Sequence, residues 1–258
     1  MSRSASSPGD RVTLALLPGF AEAFMLAFAR IGTMIMLLPG LGERAIPARM
    51  RLAVAVLLTL LLQPGLGRPE VAPLAGLLSE MAIGAVLGLS ARLVLAAAET
   101  AGSFAAQGVG LSFAQVVDPT QGQQGDALAA FFRMTGVLIV FATDLHHLAI
   151  AGIAGSYQAL PPGAPVHIAD GLTAFLSTLA RAFAAAVMLA APFLVFGLVF
   201  NLGTGLLGRL APQIQVFFLA VPLSVALGVL LLGRHLPSLW ESLHAFVSAT
   251  LTQILPLP

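Results

Sequence analysis

Lysine and cysteine are both missing from this 258-residue chain, and charge of either sign is scarce. Without cysteine there is no disulfide framework, no thiolate metal site and no cysteine nucleophile. Without lysine there is no Walker-type Gly-Lys-Ser/Thr loop to cradle a nucleotide. All 12 basic residues are arginine, and 11 acids bring the formal charge to +1, so no basic surface for nucleic acid exists. No serine sits in a Gly-x-Ser-x-Gly elbow and the acids are scattered rather than paired, which leaves enzymatic activity without a visible carrier. What is there is apolar: 58% hydrophobic residues against 9% charged, at a mean hydropathy of +0.97. Too little polar surface remains for a soluble globule, so the chain reads as an all-α integral membrane protein.

Hydrophobic blocks at 12–38, 46–63, 73–98, 127–155, 171–208 and 212–233 each reach, or nearly reach, the roughly 20 residues that cross a bilayer, and they predict about six long helices in hairpins. Turn signals separate them at Pro39-Gly40-Leu41-Gly42, Pro64-Gly65-Leu66-Gly67, Pro161-Pro162-Gly163-Ala164-Pro165 and Ala211-Pro212, while Pro73 and Asp170 sit where helices could start. The N-terminal apolar run is interrupted by Pro18, Gly19 and Glu22, which argues against a cleaved signal peptide. Arginines fall on both sides of the early blocks, so the positive-inside rule gives no orientation. The proline-rich connector at 158–168 divides an N-terminal region (1–157) from a C-terminal hairpin (169–258).

Two features depart from plain membrane helices. Residues 99–126, ETAGSFAAQGVGLSFAQVVDPTQGQQGD, are too rich in Gly and Gln for a lipid-facing helix and too apolar for a surface loop. Irregular backbone at membrane depth persists only where protein or water satisfies its polar groups, so this stretch is expected to be re-entrant and to line a pore, gate or cavity. The second feature is charge. Ala182–Gly208 and Leu210–Gly233 carry none, whereas the earlier blocks carry Arg30, Glu80, Arg92, Glu99, Arg133 and Asp144 well inside or near their ends. A charge at bilayer depth costs roughly 2.5–3.5 kcal/mol on insertion scales, so these helices should face protein or water, snorkelling at helix ends being the alternative. Arg30, Arg92 and Glu99 are accordingly candidates for subunit packing. Arg92 and Glu99 lie seven residues apart, on one helical face but two turns distant.

Other constellations have bland readings. His146-His147 beside Asp144 suggests a metal site, but neighbouring side chains on a helix point about 100° apart and the His-Glu-x-x-His pattern is missing, so helix packing is expected and no metal. Gly203-x-Gly205-x-x-Gly208 matches a dinucleotide fingerprint without its strand or acidic residue, so no cofactor is expected either. With Gly84-x-x-x-Gly88 it reads instead as small-residue surface for close helix packing, with Asn201 bonding across such an interface. Ser238-Leu239-Trp240-Glu241 has capping-box spacing ahead of apolar positions 239, 243, 246, 247, 251 and 254, which predicts a C-terminal amphipathic helix at the membrane surface or on a partner.

The chain resembles the FliR family of flagellar type III export-gate membrane proteins, with their injectisome relatives, the SctT proteins. The likeness rests on ARIGTMIMLLPGLGERAIPARMRLAVAVLLTLLLQP at 29–64, on ETAGSFAAQGVGLSFAQVVDPTQGQQG at 99–125, on DLHHLAIAGIAGSYQALPPG at 144–163 and on APFLVFGLVFNLGTGLLGRLAPQIQVFFLAVPLSVALG at 191–228. It covers nearly the whole chain in order. The resemblance implies a single-copy subunit of a helical export gate in the bacterial inner membrane at the flagellar basal body. FliP-like and FliQ-like subunits would surround it, an FlhB-like protein would border it, and unfolded polypeptides would pass through. It also implies that some helices sit partly above the membrane plane, and it places a channel plug at about 107–125, including Gln107, Gly108, Gly110, Leu111, Phe113, Asp118, Pro119 and Gly122. Leu111 and Phe113 could then close a constriction by dewetting. Energy for transport would come from partners or from the membrane potential.

A competing class is a small-solute or proton-coupled secondary transporter, motivated by the intramembrane charges and the interrupted helix. It predicts symmetric inverted repeats, and none is visible. A purely structural scaffold is the third class. Co-purification with small helical membrane partners in fixed stoichiometry distinguishes a gate subunit from a self-sufficient transporter.

Overall fold

A computed structural model describes residues 8–40, 46–63, 73–111, 127–163, 168–211 and 216–254, and the regular structure among them is helical. Among the described residues seven helices follow in order: α1 (Pro8–Leu37), α2 (Ala48–Leu62), α3 (Pro73–Val109), α4 (Ala127–Ala142), α5 (Leu145–Ala159), α6 (Ile168–Leu210) and α7 (Val216–Ile254). Four of them contain a stretch long and apolar enough to cross a membrane: Gly19–Leu37, Leu74–Val109, Ala169–Leu210 and Phe218–Ile254. The pair α4 and α5 would make a fifth span, bent by 72°. At 15 residues, α2 is too short by itself.

Three boundaries differ from the sequence expectation, each for a physical reason. The predicted block at 127–155 is two helices, broken at Thr143–Asp144, where Asp144 takes a left-handed backbone at φ 57°. The stretch read as irregular from residue 99 is helical as far as Val109. Its alanines at 101, 105 and 106 are fully buried, and its glycines are contact points rather than breakers. The C-terminal segment is not a separate capped helix: α7 runs on through Pro222 and Pro237 to Ile254. Ser238 therefore sits inside the helix, its Oγ donating to the His235 carbonyl at 2.9 Å, and it caps nothing. The expected amphipathic spacing is nevertheless present. Leu239, Leu243, Val247 and Leu251, four residues apart, are all buried, and that burial holds the turns beyond Pro237.

By contacts the chain forms two compact units, each discontinuous in sequence. The first comprises residues 1–92, 146–175 and 251–258, with α2 packed on α1 and a core that includes Ile31, Met34, Ile35, Leu38, Ile83 and Ile153. Here α1 and α3 meet backbone to backbone. A methyl added at Gly84 would overlap the Arg30 carbonyl, and one at Gly88 would lie 2.8 Å from Leu37 Cβ and 3.1 Å from the Met34 carbonyl. The second unit comprises residues 93–145 and 176–250. Phe132 and Phe193 meet edge to face in its core at 6.3 Å, and Phe104 meets Phe183 similarly at 6.2 Å.

Candidate functional site

The end of α3 leads directly into the segment singled out from the sequence, and its termination is fully specified. The N–H of Gly110 bonds the Gln107 carbonyl at 3.2 Å and the N–H of Leu111 bonds the Ala106 carbonyl at 3.0 Å. These are the two bonds of a Schellman motif, with Gly110 at φ 78° as its left-handed residue. A side chain there would be strained, so the glycine is required by the turn itself. Gln107 is exposed, Gly108, Gly110 and Leu111 are half-buried, and Val109 is buried. Phe113, Asp118, Pro119 and Gly122 lie outside the described residues.

The last turn of α3 is enclosed by α6 and α7 within the second unit. A Cβ at Gly108 would overlap the Phe193 carbonyl, and one at Gly197 would overlap the Gly108 carbonyl, so the backbones of α3 and α6 touch with no side chain between them. From α7, Gly228 leaves room for the Val109 side chain, and Ser224 Oγ donates to the Val109 carbonyl at 2.9 Å. Of these partners, Ser224, Gly197 and Gly228 had not been singled out from the sequence. Ser224 is one of few polar residues in an uncharged stretch, which was the available signal.

The first unit holds a buried charged cluster. Arg30 and Glu80 are both fully buried. Arg30 Nε donates to Glu80 Oε2 at 2.6 Å and Nη2 to Oε1 at 3.0 Å, a bidentate pair between α1 and α3. Nη1 donates to the carbonyls of Ser156 at 3.0 Å and Leu160 at 2.8 Å, binding the C-terminal end of α5. Glu80 Oε1 also accepts the Gly163 N–H at 2.9 Å. The Tyr157 ring lies 4.1 Å below the guanidinium, and its hydroxyl donates to the Ala27 carbonyl at 3.2 Å. Arg30 and Glu80 were each visible as block charges. Their pairing was not, because 50 residues separate them. Arg30, expected at a subunit contact, thus has its bonds inside the chain.

The remaining candidates are distributed more widely. Arg92, Glu99 and Asn201 are exposed. Gly203, Gly205 and Gly208 have open space where a Cβ would be, and Gly203 lines an apolar groove of about 310 Å³ with Val199, Phe200, Leu207, Leu219 and Leu223. At the α4–α5 break the rings of His146 and His147 lie 4.1 Å apart rather than diverging. The left-handed Asp144 supplies the turn that the regular helix assumed from the sequence lacks.

The profile of the bacterial export proteins, family 1, matches residues 21–250 of the chain. The chain is 44% identical over 230 residues to the flagellar biosynthetic protein FliR of Caulobacter vibrioides, an alignment covering 84% of this chain and 91% of that protein. It is 34% identical over 223 residues to FliR of Pectobacterium carotovorum, with 84% and 85% covered. To FliR of Escherichia coli it is 29% identical over 213 residues, with 81% and 82% covered.

Proposed function

We infer the role of this chain from one premise: it belongs to the bacterial export proteins, family 1. It is a membrane component of flagellar biosynthesis, a subunit of the flagellar type III protein export gate. The near full-length match carries this reading, because it takes in both the apolar helices and the polar stretches between them.

In finer detail, the chain sits in the inner membrane at the basal body, beside FliP-like and FliQ-like subunits and an FlhB-like protein, and unfolded polypeptide passes alongside it. The large uncharged, exposed surfaces of α6 and α7 support this placement. Leu198, Leu202, Leu206, Phe218, Leu219 and Leu230 are all more than half exposed, and such a surface needs lipid or other helices against it. Gly203, Gly205, Gly208 and Asn201 lie on α6 within reach of such neighbours, and Arg92 and Glu99 are assigned to polar subunit contacts. Arg30, Gly84 and Gly88 shape the α1–α3 face of the first unit.

Residues 107–125 act as the plug. Gln107, Gly108, Gly110 and Leu111 form its ordered entry, and Phe113, Asp118, Pro119 and Gly122 belong to its body. The test is deletion of 112–120 in a gate co-expressed with its partner subunits. Assembly should persist while ion flux through membrane vesicles rises. Normal assembly with unchanged flux refutes the plug assignment.

A further inference from the structure

The final turn of α3 is fixed twice over, and the two devices do different things. The Schellman motif ends the helix using the chain's own backbone at Gln107, Ala106, Gly110 and Leu111. That is a local matter, and it would hold wherever the turn lay. It also leaves the Val109 carbonyl without an intrahelical partner. Val109 is 2% exposed, and a buried carbonyl without a donor is costly. Its donor comes from 115 residues away, the hydroxyl of Ser224, itself 6% exposed. One turn further along α7, Gly228 sits under the Val109 side chain, so the α7 face carrying residues 224 and 228 receives Val109 by both its carbonyl and its side chain. On the other side, the backbone contact of Gly108 with Phe193 and Gly197 leaves no side chain whose rotamer could yield to a sliding motion.

We propose that this clasp sets the resting position of the C-terminal end of α3, as far as Leu111, and that Ser224 is the positioning residue that holds it. The proposal rests on the gate reading above, and it extends that reading to residues on α6 and α7 that touch only the segment's root. Ending α3 does not require Ser224, because the Schellman bonds already do so. Its hydroxyl instead fixes where that end lies on α7. Moving that end outward breaks the Ser224 bond and withdraws Val109 from Gly228, so the clasp opposes displacement of Leu111.

The absence of native cysteine provides a clean readout, since a Leu111→Cys substitution is the single thiol in the chain. In the complete export gate purified with its partner subunits, the rate of modification of that thiol by a membrane-impermeant maleimide is compared among three backgrounds: Ser224, Ser224→Ala and Ser224→Thr. With assembly at normal levels, Ser224→Ala should raise the rate roughly two- to ten-fold, the factor corresponding to loss of one hydrogen bond, and Ser224→Thr, which keeps the hydroxyl, should restore it. A hydroxyl that merely satisfied a carbonyl would alter stability and leave this rate unchanged, and an unchanged rate in normally assembled Ser224→Ala gate overturns the proposal. Should Ser224→Ala fail to assemble, Gly228→Ala is read in the same way, because its added methyl meets the Val109 side chain. An unchanged rate there overturns the proposal equally. Labelling decides the clasp, whereas flux through the 112–120 deletion decides the plug, so the two ideas fail separately.

Discussion

Removing the Glu80 carboxylate while leaving Arg30 in place should be among the most damaging single changes in the first unit. Arg30 uses four of its five N–H groups, two on Glu80 and two on the carbonyls of Ser156 and Leu160. Glu80→Ala removes the first two, strands a guanidinium in a fully buried position, and takes the acceptor from the Gly163 N–H. Breaking a buried pair by removing one partner costs about 3–5 kcal/mol, a large share of the roughly 5–15 kcal/mol that holds a typical fold together. Glu80→Gln keeps an acceptor oxygen and the shape of the side chain, so its cost should be smaller. The double change Arg30→Met with Glu80→Met removes both charges, and buried pairs replaced by apolar residues are often neutral or better. It should therefore be more stable than Glu80→Ala alone. The assay is the amount of chain recovered in assembled gates together with the midpoint of their thermal dissociation. Glu80→Ala should lower that midpoint by about 10 °C, and the double variant should recover most of the loss. A Glu80→Ala gate indistinguishable from the parent, or a double variant no better than the single one, would refute the reasoning.

Two glycines on different surfaces should respond in opposite ways. Gly84→Ala forces a methyl against the Arg30 backbone and should destabilise by about 1–3 kcal/mol, whereas Gly203→Ala meets open space and should leave the isolated chain as stable or slightly more so. If Gly203 is a subunit contact, that same substitution should reduce co-purification of partner subunits, and undiminished co-purification removes the assignment. At φ 78°, Gly110→Ala should cost roughly 1–2 kcal/mol and Gly110→Asn less, measured by the same thermal midpoint. Ser238→Ala, which a capping role would make costly by about 0.5–2 kcal/mol, should change the midpoint little, because residue 238 lies within α7.

The membrane class, the helical fold and the family were legible because each is spread along the chain. Apolar blocks of bilayer length show wherever they fall, and the polar landmarks between them keep their order. Boundaries were less legible. The glycines at 102 and 108 look like helix breakers when nothing is seen opposite them, yet a Cβ at Gly102 would stand 2.5 Å from Ala129 Cα, and Gly108 faces the Phe193 carbonyl. They are places where one helix admits another. The capping-box spacing at Ser238 misled for the converse reason, since a local rule starts a helix at a point where burial of Leu239, Leu243 and Val247 instead carries α7 onward.

From its residues alone this chain was bound to be a helical membrane protein with a polar-tinged interruption after α3, because hydropathy and composition are sums over local choices. Which charge neutralises Arg30, and which hydroxyl receives the last buried carbonyl of α3, were decided only when helices 50 and 115 residues apart came together. A buried polar group selects its partner by proximity in space, and proximity in space is what a linear string of residues does not record.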